Sequence, residues 1–142
     1  MPTRITNFLH VSQTTGTTGL TTAFGTARTH DLAAFRPVFT QAPFWVGILD
    51  TIHIHVHAIA GGCAKLTVRV TLDSAGNESI VPDTEATIAT GIGAGTQGSV
   101  VFAAGVGLTN LNPTQTDALV YVWVKTDVGS CNLKESTLTW RE

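Results

Sequence analysis

A chain of 142 residues with a net charge of −2 and only 13% charged residues has the length of one domain that can bury its own core. The near-neutral charge disfavours nucleic acid as a partner. The start, MPTRITNFLHVSQ, has no apolar run of signal-peptide length, and no stretch approaches the ~20 apolar residues of a membrane-spanning helix. We therefore expect a protein that is made in the cytoplasm and does not partner a membrane.

The first 30 residues differ in composition from the rest. They hold 10 of the 24 threonines, and Arg4 and Arg28 are their only charged side chains. Because no period-2 pattern is sustained, two interpretations stay open: a flexible terminus, or an arm that becomes ordered on a neighbouring subunit. In the second case single hydrophobic side chains would fill pockets of the neighbour, namely Phe8, Leu9, Leu20 and Phe24. Residues 1–30 are then the N-terminal arm and residues 31–142 the folded domain.

From residue 31 onward the chain reads as short strands. FRPVFTQ predicts a strand interrupted by Pro37, and FWVGIL with TIHIHVHAI predicts one long strand, or two with a kink at Gly47. AGGCA predicts a turn, and KLTVRVTLD the returning hairpin strand. In that strand Leu66, Val68 and Val70 share one face, whereas Thr67, Arg69 and Thr71 share the other. After a turn at SAGNE, the brief strand SIV is expected to stop at Pro82.

The second half continues the pattern. EATIATG, SVVFAAG, ALVYVWVKT and CNLKESTLTW predict strands, separated by the loops GIGAGTQG and LTNLNPTQTD and the turn DVGS. Seven or eight strands without a helical period predict an all-β fold. We expect an antiparallel β-sandwich of jelly-roll or Greek-key topology, with an extended N-terminal arm.

Three histidines alternate with aliphatic residues in TIHIHVHAI. Ile52, Ile54, Val56 and Ala58 should face the core, so His53, His55 and His57 should face outward, beside Arg69 of the expected hairpin partner. Adjacent histidines on one strand face lie ~6.5–7 Å apart at Cβ, a distance that lets the imidazoles of His53 and His55 close on one metal ion. A catalytic zinc needs a third ligand, and none stands nearby in sequence. The preferred interpretation is an outer sheet face whose half-buried rings hydrogen-bond either threonine hydroxyls or the backbone of a partner, with a metal site as the alternative.

The strand ALVYVWVKT is apolar on both faces. Its valines form one set, and Leu119, Tyr121 and Trp123 belong to the other. Tyr and Trp are enriched at the centres of interfaces, so the second set is expected to be covered either by the chain itself or by another subunit. Trp45, in FWVGIL, is a further aromatic candidate. The predicted partner interface therefore comprises His53, His55, His57, Arg69, Leu119, Tyr121, Trp123, Trp45, Phe8, Leu9, Leu20 and Phe24.

Other chemistry has weak signals. Cys63 and Cys131 could form a disulfide or stay as thiols, since their spacing fits no zinc motif. The turn DSAGNE offers calcium three oxygen-bearing residues, Asp73, Asn77 and Glu78, without the spacing of an EF-hand. GIGAGTQG lacks the lysine and helix of a phosphate loop, and no Gly-x-Ser-x-Gly motif occurs. We therefore expect no enzyme, no cofactor and no bound metal.

Two long segments carry a family resemblance. LTVRVTLDSAGNESIVPDTEATIATGIGAGTQGSVVF and DALVYVWVKTDVGSCNLKESTLTW together resemble the small β-sandwich virion proteins of tailed bacteriophages, in particular capsid cement (decoration) proteins such as those of cyanobacterial phages. The resemblance covers roughly residues 45 to 142 and rests on the acid–Gly turn, on PDTEATI and on YVWVKTD.

The resemblance implies a structural role without catalytic residues. It implies a jelly-roll-like body on the capsid surface of a virion, bound to the major capsid protein and to itself as a dimer or trimer. Such a protein stabilises the outer capsid lattice against the pressure of the packaged DNA. The alternative is a tail or fibre component with a carbohydrate- or protein-binding β-sandwich.

Overall fold

The computed structural model describes residues 8–13, 18–31, 47–90, 96–108 and 119–141. Ten strands account for most of them: β1 Phe8–Gln13, β2 Thr18–Leu20, β3 Arg28–Asp31, β4 Gly47–Ala60, β5 Lys65–Thr71, β6 Ser79–Thr87, β7 Ala89–Thr90, β8 Gly98–Leu108, β9 Leu119–Thr126 and β10 Ser130–Arg141. These residues contain no helix, and hence none able to cross a membrane. The all-β prediction is confirmed. The predicted strand FRPVFTQ, Trp45 and most of the loop LTNLNPTQTD lie outside the described residues.

The strands form two antiparallel sheets. Sheet A has the order β1-β10-β4-β8-β7, with β2 also paired to β10, and sheet B has the order β3-β9-β5-β6. If the two shortest strands, β2 and β7, are set aside, the pairs are nested: first with last (β1–β10), second with second-to-last (β3–β9), then β4–β8 and β5–β6. Nested pairs shared between two facing sheets are the strand order of a jelly roll. The predicted antiparallel sandwich is confirmed.

Alternating side chains from both sheets fill a single core. Ile52, Ile54 and Val56 of β4 have no exposed surface, and neither have Leu66, Val68 and Val70 of β5. The even-numbered valines of β9 and the side chains of Leu138 and Trp140 on β10 join the same cluster. Burial of each such side chain contributes roughly 1.5–3 kcal/mol, so the period-2 pattern of these strands fixes which face turns inward.

The hairpin predicted for β4 and β5 does not form, and that prediction was wrong. β4 lies between β10 and β8 in sheet A, whereas β5 lies between β9 and β6 in sheet B. The alternation of β4 ends at Ala58, which has a positive φ of 52° and is exposed instead of facing the core. Two glycines with positive φ, Gly61 and Gly62, then carry the chain across to the other sheet. Arg69 is therefore not beside the histidines.

The first 30 residues contribute strands to both sheets. β1 and β2 pair with β10, and β3 pairs with β9. Leu20 is only 5% exposed and belongs to the core. These intrachain pairings differ from both interpretations of this segment, the flexible terminus and the arm ordered by a neighbour. That the segment also contacts a neighbouring subunit stays a prediction.

β6 does not stop at Pro82 but runs on to Thr87. It is the edge strand of sheet B, so the missing N–H of a proline need not leave a gap in a central ladder. The pairing with β5 shifts between Val68 and Val70, which accommodates the proline and its neighbour in a bulge.

Candidate interaction surface

Three neighbouring strands, β10, β4 and β8, present nine side chains on the face of sheet A opposite the core. They form three cross-strand rows: Thr139–Thr51–Ala103, Thr137–His53–Val101 and Glu135–His55–Ser99. Alternation along each strand places these residues on one face, because their chain neighbours Ile52, Ile54 and Phe102 are in the core. We refer to these nine residues as the outer face of sheet A.

The outer face of sheet A carries little charge. Glu135 is its one carboxylate, and none of the nine residues is Lys or Arg. Val101 is 58% exposed and the most exposed of the large hydrophobic side chains in the described residues. His53 and Ala103 are exposed, and His55 is half-buried. A sheet face that meets only water usually carries more lysine and glutamate, so this composition is typical of a surface that packs against another protein.

Two shallow grooves run beside His53 and His55. The larger, of about 270 Å³, is lined by these histidines and by Ala89, Gln97, Gly98 and Ser99. The smaller, of about 70 Å³, lies between the same histidines and Glu135 and Thr137. Thr137 Oγ1 donates to Glu135 Oε1 at 3.0 Å, which holds the carboxylate on the sheet. Each imidazole has one donor and one acceptor in its neutral form, so either groove can receive a polar side chain.

The metal interpretation of the histidines finds no further ligand. Among the described residues no three His, Cys, Asp or Glu side chains are grouped so that they could hold a metal ion. His57 lies beyond a register shift in the pairing of β4 with β10. Its cross-strand neighbour is Asn132, whereas that of His55 is Glu135. In the described residues His53 is an exposed and His55 a half-buried side chain of sheet A.

Sheet B holds the predicted residues Arg69 and Phe24. The Phe24 ring lies 4.6 Å from Arg69 Cζ and 4.8 Å from Lys125 Nζ, measured to the ring centroid. Arg69 also pairs with Asp83 through two hydrogen bonds, Nε to Oδ1 at 2.6 Å and the second guanidinium nitrogen to Oδ2 at 2.9 Å. These bonds lower the pKa of Asp83. Arg69 and Phe24 therefore fasten the segment before β3 onto sheet B of the same chain.

Trp123 is half-buried under the turn between β5 and β6. Its Nε1 donates to Thr71 Oγ1 at 2.9 Å, and a Cβ on Gly76 would come within 3.2 Å of the indole. Arg69 also donates to the Gly76 carbonyl at 3.3 Å. The outer side chains of this strand were expected to be covered either by the chain itself or by another subunit. Trp123 is covered by the chain itself. Leu119 and Tyr121 on the same strand are half-buried as well.

The carboxylate of Asp73 closes that same turn. It accepts hydrogen bonds from the backbone N–H groups of Asn77 at 3.0 Å and Glu78 at 2.7 Å. These bonds, chiefly the one from Glu78, lower the pKa of Asp73. The aspartate of the calcium alternative thus has a structural role, as an acceptor within a tight turn.

The predicted interface residues do not form one surface. His53 and His55 lie on the outer face of sheet A, and Arg69, Trp123 and Phe24 lie on sheet B. Leu20 is in the core, and Phe8 and Leu9 belong to β1, where their backbones pair with Arg141 and Trp140. Sequence reasoning missed Val101 and Ala103. Their signal was present, because SVVFAAG is apolar or small at every position after the serine and so carries no polar outer set.

Comparisons with known proteins give partial structural similarities only. No family model matches the chain, and no curated protein matches it. A chain from the structure of Cocksfoot mottle virus is 8% identical, covers 95% of this chain and 94% of its own length, and has a TM-score of 0.38. A chain from the virus-like particle of the extra small virus of the prawn Macrobrachium rosenbergii is 6% identical, with coverage of 99% and 82% and a TM-score of 0.35.

A chain from the empty head of Turnip yellow mosaic virus is 11% identical, with the same coverage of 99% and 82% and a TM-score of 0.28. The jelly roll described above rests on the strand pairing of the chain itself and not on these similarities. The resemblance to bacteriophage decoration proteins stays a prediction.

Proposed function

We propose that the chain is a structural protein of a virus particle, and in its finer role a decoration protein on the outer capsid lattice. The observation that carries the proposal is a jelly roll whose outer face of sheet A combines Val101, Ala103 and two histidines without a lysine or arginine. Jelly rolls recur in viral capsid proteins, in lectins and in cupins. The fold alone does not choose among these three, so the choice depends on side chains.

Two of the three classes lack support in the described residues. A cupin needs a cluster of metal ligands, and the described residues contain no such cluster. For a lectin, the two tryptophans that the structure describes offer no open ring on which a sugar could stack, because Trp140 is in the core and Trp123 lies under the Gly76 turn. The capsid class requires only a rigid body with a surface that packs against other proteins, which the outer face of sheet A provides.

The mechanism is the summation of many moderate contacts over a repeating lattice. A standard interface buries about 800 Å² on each partner, and the nine residues of the outer face would form its centre. Because this centre is nearly uncharged, binding should change little with salt concentration. The partners are the major capsid protein and neighbouring copies of the chain, which act together to stiffen the shell.

Purified particles of the virus that encodes the chain provide the test. We expect the chain to remain with the particles through a density gradient, in a fixed molar ratio to the shell protein. A tail or fibre component would be present in far fewer copies than the shell protein. Absence of the chain from intact particles would reject the structural role altogether. Particles whose shell contains this chain and no other shell protein would make the chain the shell subunit itself.

A further inference from the structure

The two cysteines of the chain meet where the two sheets are joined. Cys63 lies in the connection that carries the chain from β4 in sheet A to β5 in sheet B, and Cys131 is the second residue of β10. Both are free thiols and both are buried, with 8% and 2% of their surface exposed. Cys63 Sγ lies 3.9 Å from the Lys65 carbonyl oxygen, and Ser130, the residue before Cys131, pairs with Ala60 at the end of β4.

The backbone around the two thiols is already held together by other contacts. Asp127 Oδ1 accepts hydrogen bonds from the N–H groups of Ala64 at 3.1 Å and Lys65 at 3.2 Å. Gly61 packs against Gly129 so closely that a Cβ on Gly61 would lie 2.9 Å from Gly129 Cα. The turn before β10 and the connection after β4 are thus fixed against each other, so the sulfur atoms can be joined without bringing distant segments together.

We propose that Cys63 and Cys131 are an oxidation site, which forms an intramolecular disulfide when the chain meets a low-molecular-weight disulfide. The Cys63 thiolate attacks one sulfur of the reagent and releases one thiol. The Cys131 thiolate then attacks Cys63 Sγ in the mixed disulfide and releases the second thiol. The two electrons go to the reagent and the two protons go to the released thiols. The proposal does not depend on the proposed function.

Burial makes this reaction slow in the folded protein. It raises the pKa of the Cys131 thiol to about 12, with the neighbouring Cys63 adding to the effect, and it also raises the pKa of Cys63. Only the thiolate attacks a disulfide, so oxidation should accelerate as the pH rises. Cys63 is the first nucleophile because it is the more exposed of the two and lies beside two glycines in the connection.

The bond would close a long loop, from Cys63 to Cys131, that contains β5 through β9. Closure of a loop of this length restricts the unfolded chain and should raise the midpoint of thermal unfolding by roughly 10 °C. Reduction should reverse the change. The disulfide would then stabilise the sandwich in an oxidising environment while leaving the reduced protein folded.

The test uses the full-length chain incubated with oxidised glutathione at pH 8. We expect a product lighter by two hydrogen atoms, a Cys63–Cys131 peptide in a non-reducing digest and the increase in unfolding temperature. Cys63→Ser should abolish all three. Cys131→Ala, which keeps a small apolar side chain at the buried site, should do the same while the circular dichroism spectrum stays unchanged.

Unmodified thiols after prolonged oxidation would overturn the proposal, and so would a product that is only a disulfide-linked dimer. Oxidation of the urea-unfolded chain controls for the reagent, since both thiols are then accessible. If the unfolded chain forms the bond and the folded chain does not form it even at pH 9, the two thiols are structural core residues and nothing more.

Discussion

The side chains of Trp123 and Thr71 link β9 to β5 beneath the turn that follows β5. Thr71 is fully buried; its hydroxyl accepts from Trp123 Nε1 and donates to the Asp73 carbonyl at 2.8 Å. Thr71→Val keeps the shape of the side chain but leaves both partners without this bond. We expect a loss of about 1–3 kcal/mol in the free energy of unfolding, measured by urea denaturation.

Thr71→Ser is the matched control, because it keeps the hydroxyl and removes only the methyl group. It should cost about 1 kcal/mol and should leave the tryptophan fluorescence maximum of the chain in place. If Thr71→Ser destabilises the protein as much as Thr71→Val, the methyl packing and not the hydrogen bond dominates at this position.

The ion pair of Arg69 and Asp83 should give a small, pH-dependent contribution to stability. Hydrogen bonds from Arg69 lower the pKa of Asp83 in the folded state. A lowered folded-state pKa stabilises the protein above the unfolded value, about 3.9, and this stability is lost as the pH falls through the folded value. Because both side chains are partly exposed, 28% and 39%, the contribution should stay below about 1 kcal/mol.

Asp83→Asn isolates the pH-dependent contribution of this ion pair to the free energy of unfolding. We expect wild type to be the more stable above about pH 5, and the two stability curves to converge as the pH falls below the unfolded value of the aspartate. Curves that run parallel from pH 6 to pH 2.5 would show that Asp83 contributes no proton-linked stability.

At the scale of single residues, the sequence predicted well which side chains are buried. It predicted poorly which other residues they contact. The inward direction of Ile52, Ile54 and Val56 followed from alternation alone, and it is confirmed. The cover of Trp123 could not be predicted, because it depends on where the Gly76 turn folds back in space. Arg69 was placed beside the wrong neighbours, since its position follows from sheet pairing and not from its own strand.

At the element scale, the end of the sandwich near β4 and β9 depends on glycine contacts. A Cβ on Gly129 would clash with the Ala60 carbonyl oxygen, and Gly129 has a φ of 64°. Gly105 has a similar φ of 62° but no atom within 4 Å of the corresponding position. Gly129 therefore has a steric reason to be glycine in addition to the conformational one.

Alanine substitutions at Gly105 and Gly129 distinguish the cost of backbone strain from the cost of a steric clash. Gly105→Ala should cost about 1 kcal/mol, which is the penalty for a side chain at positive φ. Gly129→Ala should cost more than about 3 kcal/mol, because backbone atoms of Ala60 and Gly61 must move as well. Thermal unfolding followed by circular dichroism measures both, and equal losses would mean that the contact relaxes without cost.

The N-terminal strands should be needed for a stable fold. β1 covers the edge of β10 over Leu138 and Trp140, and β2 brings Leu20 into the core. Removal of residues 1–31 also removes Arg28, which donates to the Leu133 carbonyl at 3.1 Å, and His30, which is 2.9 Å from Ser136 Oγ. We expect the truncated chain to lose cooperative thermal unfolding.

Removal of residues 1–7 alone is the control, because it leaves β1 in place. A body that unfolds cooperatively and at the wild-type temperature without residues 1–31 would contradict the pairing of β1, β2 and β3 and would support the separate arm.

The positions of long strands with a clear alternation were predictable from the sequence. The pairing of one strand with another was less predictable. β9 and β10 match their predicted segments closely. The β4–β5 pairing failed because a Gly-Gly turn that closes a hairpin and one that crosses between sheets look alike in sequence. β1 to β3 were missed because their short apolar runs stand among Thr and Gly, where the period-2 signal is diluted.

At the scale of the whole molecule, we propose that the outer face of sheet A holds the chain on a virus particle. The sequence pointed to this face through His53 and His55, but it could not supply their neighbours Val101 and Thr137, which lie on strands far away in the chain. Substitutions here should leave the fold intact, because His53 and Val101 are exposed.

The double variant His53→Lys/Val101→Lys places two charges at the centre of this face. Each substitution should change the free energy of unfolding by no more than about 0.5 kcal/mol. The matched control is Val128→Lys, because Val128 is 49% exposed but lies in the turn between β9 and β10. Both proteins should fold and should sediment in their free form as wild type does.

The most direct measurement is the amount of each variant incorporated into purified particles, determined by quantitative mass spectrometry relative to the shell protein. We expect wild type and Val128→Lys to be incorporated at the same ratio. We expect His53→Lys/Val101→Lys to be depleted at least tenfold, which corresponds to about 1.4 kcal/mol of lost binding free energy. Incorporation of the double variant at the wild-type ratio would contradict the claim that this face binds the particle.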